Sequence, residues 1–140
     1  MADLDTAQQL RRDAVAFVET HLGPFRKQPR VLFCSTDACF KNFSPHPFAG
    51  LNLGTYGAIV NHTGWTPHIV RHELIHHWQN EQFGVLQASI LHPQWFREGM
   101  AYSLSQDPRK PIPHAPSQNH RTQFETWVAQ GNNWRDPPAN

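Results

Sequence analysis

No apolar run in this chain approaches the length needed to cross a bilayer; Val31-Leu32-Phe33 is typical of its longest stretches. Charge is equally unremarkable, with 12 basic residues against 11 acidic ones and a net +1. Neither a basic block nor an acidic tail is present, which argues against a nucleic-acid backbone or an anionic membrane as partner. The amino terminus opens with Asp3 and Asp5 and has no continuous apolar stretch, so it does not resemble a signal peptide. It remains compatible with the soluble part of a longer exported precursor. Cysteine is scarce: Cys34 and Cys39 stand alone, five positions apart. One such pair without a second excludes the usual cysteine-rich zinc sites. Two states stay open for it, a short disulfide loop in an exported protein and two reduced thiols in a cytosolic one. Pairing is the favoured expectation because no other cysteine competes, and an extracytoplasmic location goes with it.

What the chain does have is histidine, ten in 140 residues, and aromatic bulk, with five Trp and nine Phe. An apolar content of 39% over this length suits one domain with its own core, spanning residues 1–140 with a loose tail from about 132. Apolar residues at Leu4, Ala7, Leu10, Ala14, Phe17 and Val18 predict an amphipathic helix over 4–22, capped by Asp3 or Asp5 and ended by Gly23-Pro24. Residues 30–34 read as a strand, 35–43 as a helical turn, and 51–61 as a strand or hairpin. Thr66 and Pro67 then start a helix that runs to about Phe83 and stops at Gly84. A second proline-led helix begins at Pro93 and ends before Asp107-Pro108. The stretch from Asp107 to Pro116 holds four prolines and predicts an extended loop, and a last helix covers about 118–130.

The first of the proline-led helices carries His72-Glu73-Leu74-Ile75-His76, an H-E-x-x-H motif. Residues four apart lie one turn apart on one face, so both imidazoles can reach one ion. Glu73 projects beside that ion, where a base is needed to take a proton from the attacking water. His77 points away from that face and reads as structural. A catalytic zinc normally has three protein ligands. Gln79 and Gln82 occupy the positions where a metzincin would carry its Gly and third His. Glu98 is the better third ligand: an acid in the apolar stretch Trp95-Phe96-Arg97-Glu98-Gly99-Met100-Ala101 would be costly there without a partner. Gly99, unfavourable in a helix, suggests a close approach of the two helices. The competing accounts are a surface ion pair of Glu98 with Arg97 or Arg71, and His92 as the third ligand.

On these two motifs the chain resembles the gluzincin branch of zinc peptidases, in which an H-E-x-x-H helix is followed by a helix with a ligand Glu, often within W-x-x-E-G-x-A. Twenty-one residues, 77 to 97, lie between His76 and Glu98, a compatible separation. The likeness covers about residues 66–105 and is greatest to the minimal single-domain members, the minigluzincins. It implies Zn²⁺ on His72, His76 and Glu98, with Glu73 as general base in the hydrolysis of a peptide or amide bond in a peptide or protein substrate. It also implies that the strand over Tyr56–Asn61 lines the cleft and pairs with the substrate. The fold expected is α+β: a small zincin-like domain with a short, mostly antiparallel sheet on the active-site helix, a Glu-bearing second helix, and flanking terminal helices. Position alone nominates Tyr102, one turn past Glu98, and His62, just before the zinc helix, as donors to a tetrahedral oxyanion. The competing function is a catalytically silent zinc-binding or peptide-binding module on the same fold.

Overall fold

A computed structural model describes residues 3–140, so the first two residues of the expected 1–140 domain lie outside it. Among the described residues it is a small α+β domain of five α-helices and a three-stranded mixed sheet. Helix α1 spans Leu4–His21, and its start is fixed by Asp3, whose Oδ1 accepts from the Thr6 amide at 2.7 Å. Strand β1 (Arg30–Phe33) follows, then the short helix α2 (Asp37–Phe40) and the hairpin β2 (Gly50–Leu53) and β3 (Gly57–Val60). Helix α3 runs from Pro67 to Phe83 and stops at Gly84, whose φ of 87° suits glycine. A π-helical turn, Gln87–Leu91, leads into α4 (Gln94–Leu104), and a proline-rich loop leads into α5 (Ala115–Ala129).

Helix α3 is the centre of the domain. One side carries Val70, Leu74, Ile75 and Trp78 into a core shared with Val15 and Val18 of α1 and Phe96 and Met100 of α4. The sheet packs on another side, and α5 packs on α4. Because α3 is enclosed this way, even its polar residues from His72 to Asn80 are buried. Buried polar groups need a partner or a function.

Three expectations are corrected. The sheet is not mostly antiparallel. Its order is β1-β3-β2, with β2 antiparallel to β3 but β1 parallel to it, in the register Arg30↔Gly57 to Phe33↔Val60. Only the hairpin forces an antiparallel pairing; the long connection from β1 leaves the chain free to return parallel. Gly57 permits this approach, since a Cβ there would overlap the Arg30 carbonyl oxygen. The strand expected to line the cleft is also displaced. β3 is central, paired on both sides and buried throughout, whereas β2 is the edge that faces the cavity described below. Finally, residues 132–140 are tied down. Trp134 packs edge-on against Trp78, Arg135 Nη2 donates to Leu22 O at 2.7 Å, and the Asn140 amide donates to Leu91 O at 2.9 Å. Cys34 and Cys39 form a disulfide across the turn between β1 and α2.

Candidate metal centre

His72 and His76 sit one turn apart on α3 and point their Nε2 atoms at each other, 3.1 Å apart. From α4, Glu98 Oε2 completes the triangle at 2.9 Å from His76 Nε2 and 3.5 Å from His72 Nε2. These are the only three residues among those described whose ligand atoms converge in this way. Adjacent donors on a tetrahedral zinc, with bonds of about 2.0–2.2 Å, lie roughly 3.3–3.6 Å apart. The triangle has nearly those dimensions already. The donor set of two imidazoles and a carboxylate also matches a site that keeps one open position. A divalent metal therefore fits.

A second layer orients the ligands. His76 Nδ1 lies 2.8 Å from Gln79 Oε1, and Gln79 Nε2 donates to the Arg97 carbonyl at 3.0 Å. A carbonyl can only accept, so the amide group of Gln79 is fixed, and with it the hydrogen on His76 Nδ1. That leaves Nε2 toward Glu98 and His72. The same Gln79 joins α3 to α4 one residue before Glu98. In the sequence Gln79 stands out only as occupying the metzincin glycine position, although its i+3 spacing from His76 is also a signal.

The electrostatics divide the two carboxylates. Burial alone would depress His76 and raise Glu98, but their mutual attraction overrides it: the charge and hydrogen bond of Glu98 raise His76 to about 9. In return, His76's charge and the hydrogen bonds from both imidazoles hold Glu98 well below the ordinary carboxylate range. Glu73 goes the other way. Burial raises its pKa and the charge of Glu98 adds to this, against the opposing pull of His72 and His76. No hydrogen bond from the described residues reaches the Glu73 carboxylate, which packs on the edge strand at Gly50. A Cβ at Gly50 would lie 2.8 Å from Glu73 Cγ and 3.0 Å from its Oε1.

All four residues open on a cavity of about 500 Å³ bounded by β2, α3, α4 and the proline-rich loop. Tyr102 is brought to it. Its ring lies 4.4 Å from that of His72, and its hydroxyl donates to Ser117 Oγ at 3.0 Å. His62 is not; its Nε2 is 2.9 Å from Asp37 Oδ1, away from the cavity. His92 packs edge-on to Phe83 and Phe96 and takes no part in the cluster. Neither arginine pairs with Glu98: Arg71 lies over the Phe17 ring and donates to Ser105 O. His77 is fully buried, packs on Phe25 and faces Glu81. The close approach that Gly99 allows is to α5, where a Cβ would overlap His120 O, and not to α3.

No family model matches the chain, and no curated protein or solved structure matches it either. Function has to be argued from the chemistry of the site.

Proposed function

We propose that this chain is a zinc-dependent hydrolase, a metallopeptidase that cleaves a peptide or amide bond, with His72, His76 and Glu98 as ligands and Glu73 as general base. The observation that carries the reading is Glu73: a buried carboxylate beside three convergent donors, on the cavity wall, with no hydrogen bond from the described residues. A metal that merely joined two helices would have no use for it. Two nitrogen donors favour zinc over calcium or magnesium, which take oxygen. Bound there, zinc would supply Lewis acidity, polarising a carbonyl and lowering the pKa of water toward about 7.

The protein's own contribution follows from the positions of its side chains. Gln79 holds His76 in the tautomer that offers Nε2. Gly50 leaves room for the Glu73 carboxylate to sit against the sheet edge. Glu73 takes the proton from the attacking water and passes it to the leaving amine, and its raised pKa brings it nearer the pH at which a group can both accept and return a proton. Tyr102 is the donor best placed for the oxyanion, by turning its hydroxyl hydrogen from Ser117 toward the cavity. The family assignment, gluzincin of the minimal kind, rests on the two motifs. The disulfide supports an extracytoplasmic protein, where such bonds persist.

The test is zinc content and turnover of a mixed fluorogenic peptide pool by the wild type and by Glu73→Gln. About one zinc per chain is expected, with hydrolysis abolished in a variant that keeps its zinc and its melting temperature. Zinc without hydrolysis in the wild type would identify a silent module instead.

A further inference from the structure

The cavity has a charge pattern that the metal chemistry does not use. Apart from the two imidazoles and the two carboxylates assigned above, the charged residues lining it are Arg97 and Arg109. No lysine or further acid lines it, although the chain as a whole is nearly neutral. The two arginines come from different elements. Arg97 is on α4, and no side-chain hydrogen bond or ion pair from the described residues engages its guanidinium.

Arg109 comes from the proline-rich loop and is held in place. Its Nε lies 2.9 Å from Asp107 Oδ1 and its Nη2 2.6 Å from Oδ2, so one edge of the guanidinium is clamped by a carboxylate that is itself only 2% exposed. Asp107 also accepts from the Arg109 amide at 3.0 Å, and the Arg109 carbonyl accepts from Arg121 Nη1. A guanidinium has five N–H donors, and clamping the Nε–Nη2 edge leaves the Nη1–Nη2 edge as an unused fork. Such a fork matches a carboxylate in two parallel hydrogen bonds, which a lysine ammonium does not offer. Because Asp107 has already fixed the group, little conformational freedom remains to be lost on binding.

Resting on the hydrolase reading above, we infer that the cavity selects substrates with a carboxylate near the scissile bond, received by Arg97 and Arg109. The carboxylate belongs either to an acidic side chain or to the substrate's own C-terminus; both present the same group to the fork.

Three peptide hydroxamates of one backbone separate the possibilities: one ending in glutamine amide, one in glutamate amide and one in glutamine with a free terminal carboxylate. Their dissociation constants are measured by calorimetry on zinc-loaded wild type, Arg97→Met and Arg109→Lys. In the wild type at least one carboxylate-bearing probe should bind on the order of 10- to 100-fold more tightly than the neutral amide, as expected for charge-assisted hydrogen bonds. Which one does so identifies the source. In the variants that preference should shrink while the neutral probe keeps its affinity. Arg97→Met removes no hydrogen bond of the fold, so it reports even if Arg109→Lys disturbs the loop. Equal binding of all three probes by the wild type would overturn the inference and leave the metal site standing. A preference intact in both variants would overturn the role of the arginines. Failure of every hydroxamate to bind zinc-loaded protein would instead remove the hydrolase reading itself.

Discussion

Glu98 should stabilise the protein even without metal, and in a pH-dependent way. Its carboxylate is 2.9 Å from His76 Nε2 and raises that imidazole from 6.5 to about 9. A group whose folded pKa is raised stabilises fully below its unfolded pKa and stops doing so as pH rises through the folded value. For His76 the contribution is therefore complete below about 6.5, partial at 7 and gone above about 9. At pH 7 the linkage amounts to about 2–3 kcal/mol. Glu98, held low, is the other half of the same pair; its contribution holds above the ordinary carboxylate range and fades in acid. Glu98→Ala removes the pair, and burial then leaves His76 neutral near pH 7. Urea denaturation in the presence of a chelator, at pH 7 and pH 10, compares wild type with variant. The variant should be weaker by about 2–3 kcal/mol more at pH 7 than at pH 10, any packing loss being common to both. An equal difference at the two pH values would refute the buried pair and fit an exposed one, worth about 0–1 kcal/mol.

Other substitutions read the surroundings of the site. Gly50→Ala would drive a methyl group into Glu73, so turnover should fall roughly 10- to 100-fold while zinc content stays at wild-type level; unchanged turnover would separate the base from the strand. Gly99→Ala gains about 1 kcal/mol of helix propensity. It also overlaps the His120 carbonyl, however, and lies 2.6 Å from Phe124 Cβ, so its melting temperature should fall; a rise would deny the close contact of α4 and α5. Cys39→Ser opens a short loop, its ends only five positions apart, and should cost about 2 kcal/mol in chemical denaturation. Freely alkylated Cys34 and Cys39 in fresh wild-type protein would contradict the disulfide.

What was legible in the sequence was local. The helix over 67–83 announced itself by Pro67 and Gly84, and the H-E-x-x-H spacing put two imidazoles on one face without any tertiary information. Glu98 was singled out by the resemblance of its W-x-x-E-G-x-A stretch together with the cost of a lone acid in an apolar helix, and its partners prove to be the two histidines. What escaped depends on contacts between distant segments. The parallel pairing of β1 turns on how the chain returns after residue 34, and no local pattern records that. The tail looked loose because it is a chain terminus, yet Trp134 packs on Trp78 and Arg135 donates to the Leu22 carbonyl, contacts with distant segments that no local pattern records. Gly99 was correctly taken as a contact glycine and given the wrong neighbour, since its sequence says only that something comes close.

The two acids of the site are close in space and alike in chemistry, and their surroundings drive them apart. Glu98 faces both imidazoles within 3.5 Å and is kept ionised, which supports its proposed role as a metal ligand. Glu73 is buried against a glycine edge, receives no hydrogen bond from the described residues and has its pKa raised, which supports the general-base role proposed above. Paired carboxylates whose environments separate their pKa values are the mark of a division of acid–base labour. In the reading proposed above, Glu98 is accordingly the ligand and Glu73 the base. The asymmetry depends on long-range packing, on Gly50 of β2 beneath one acid and on α4 beneath the other. The motif supplies the residues, and the way the sheet edge and second helix close on α3 gives them different surroundings.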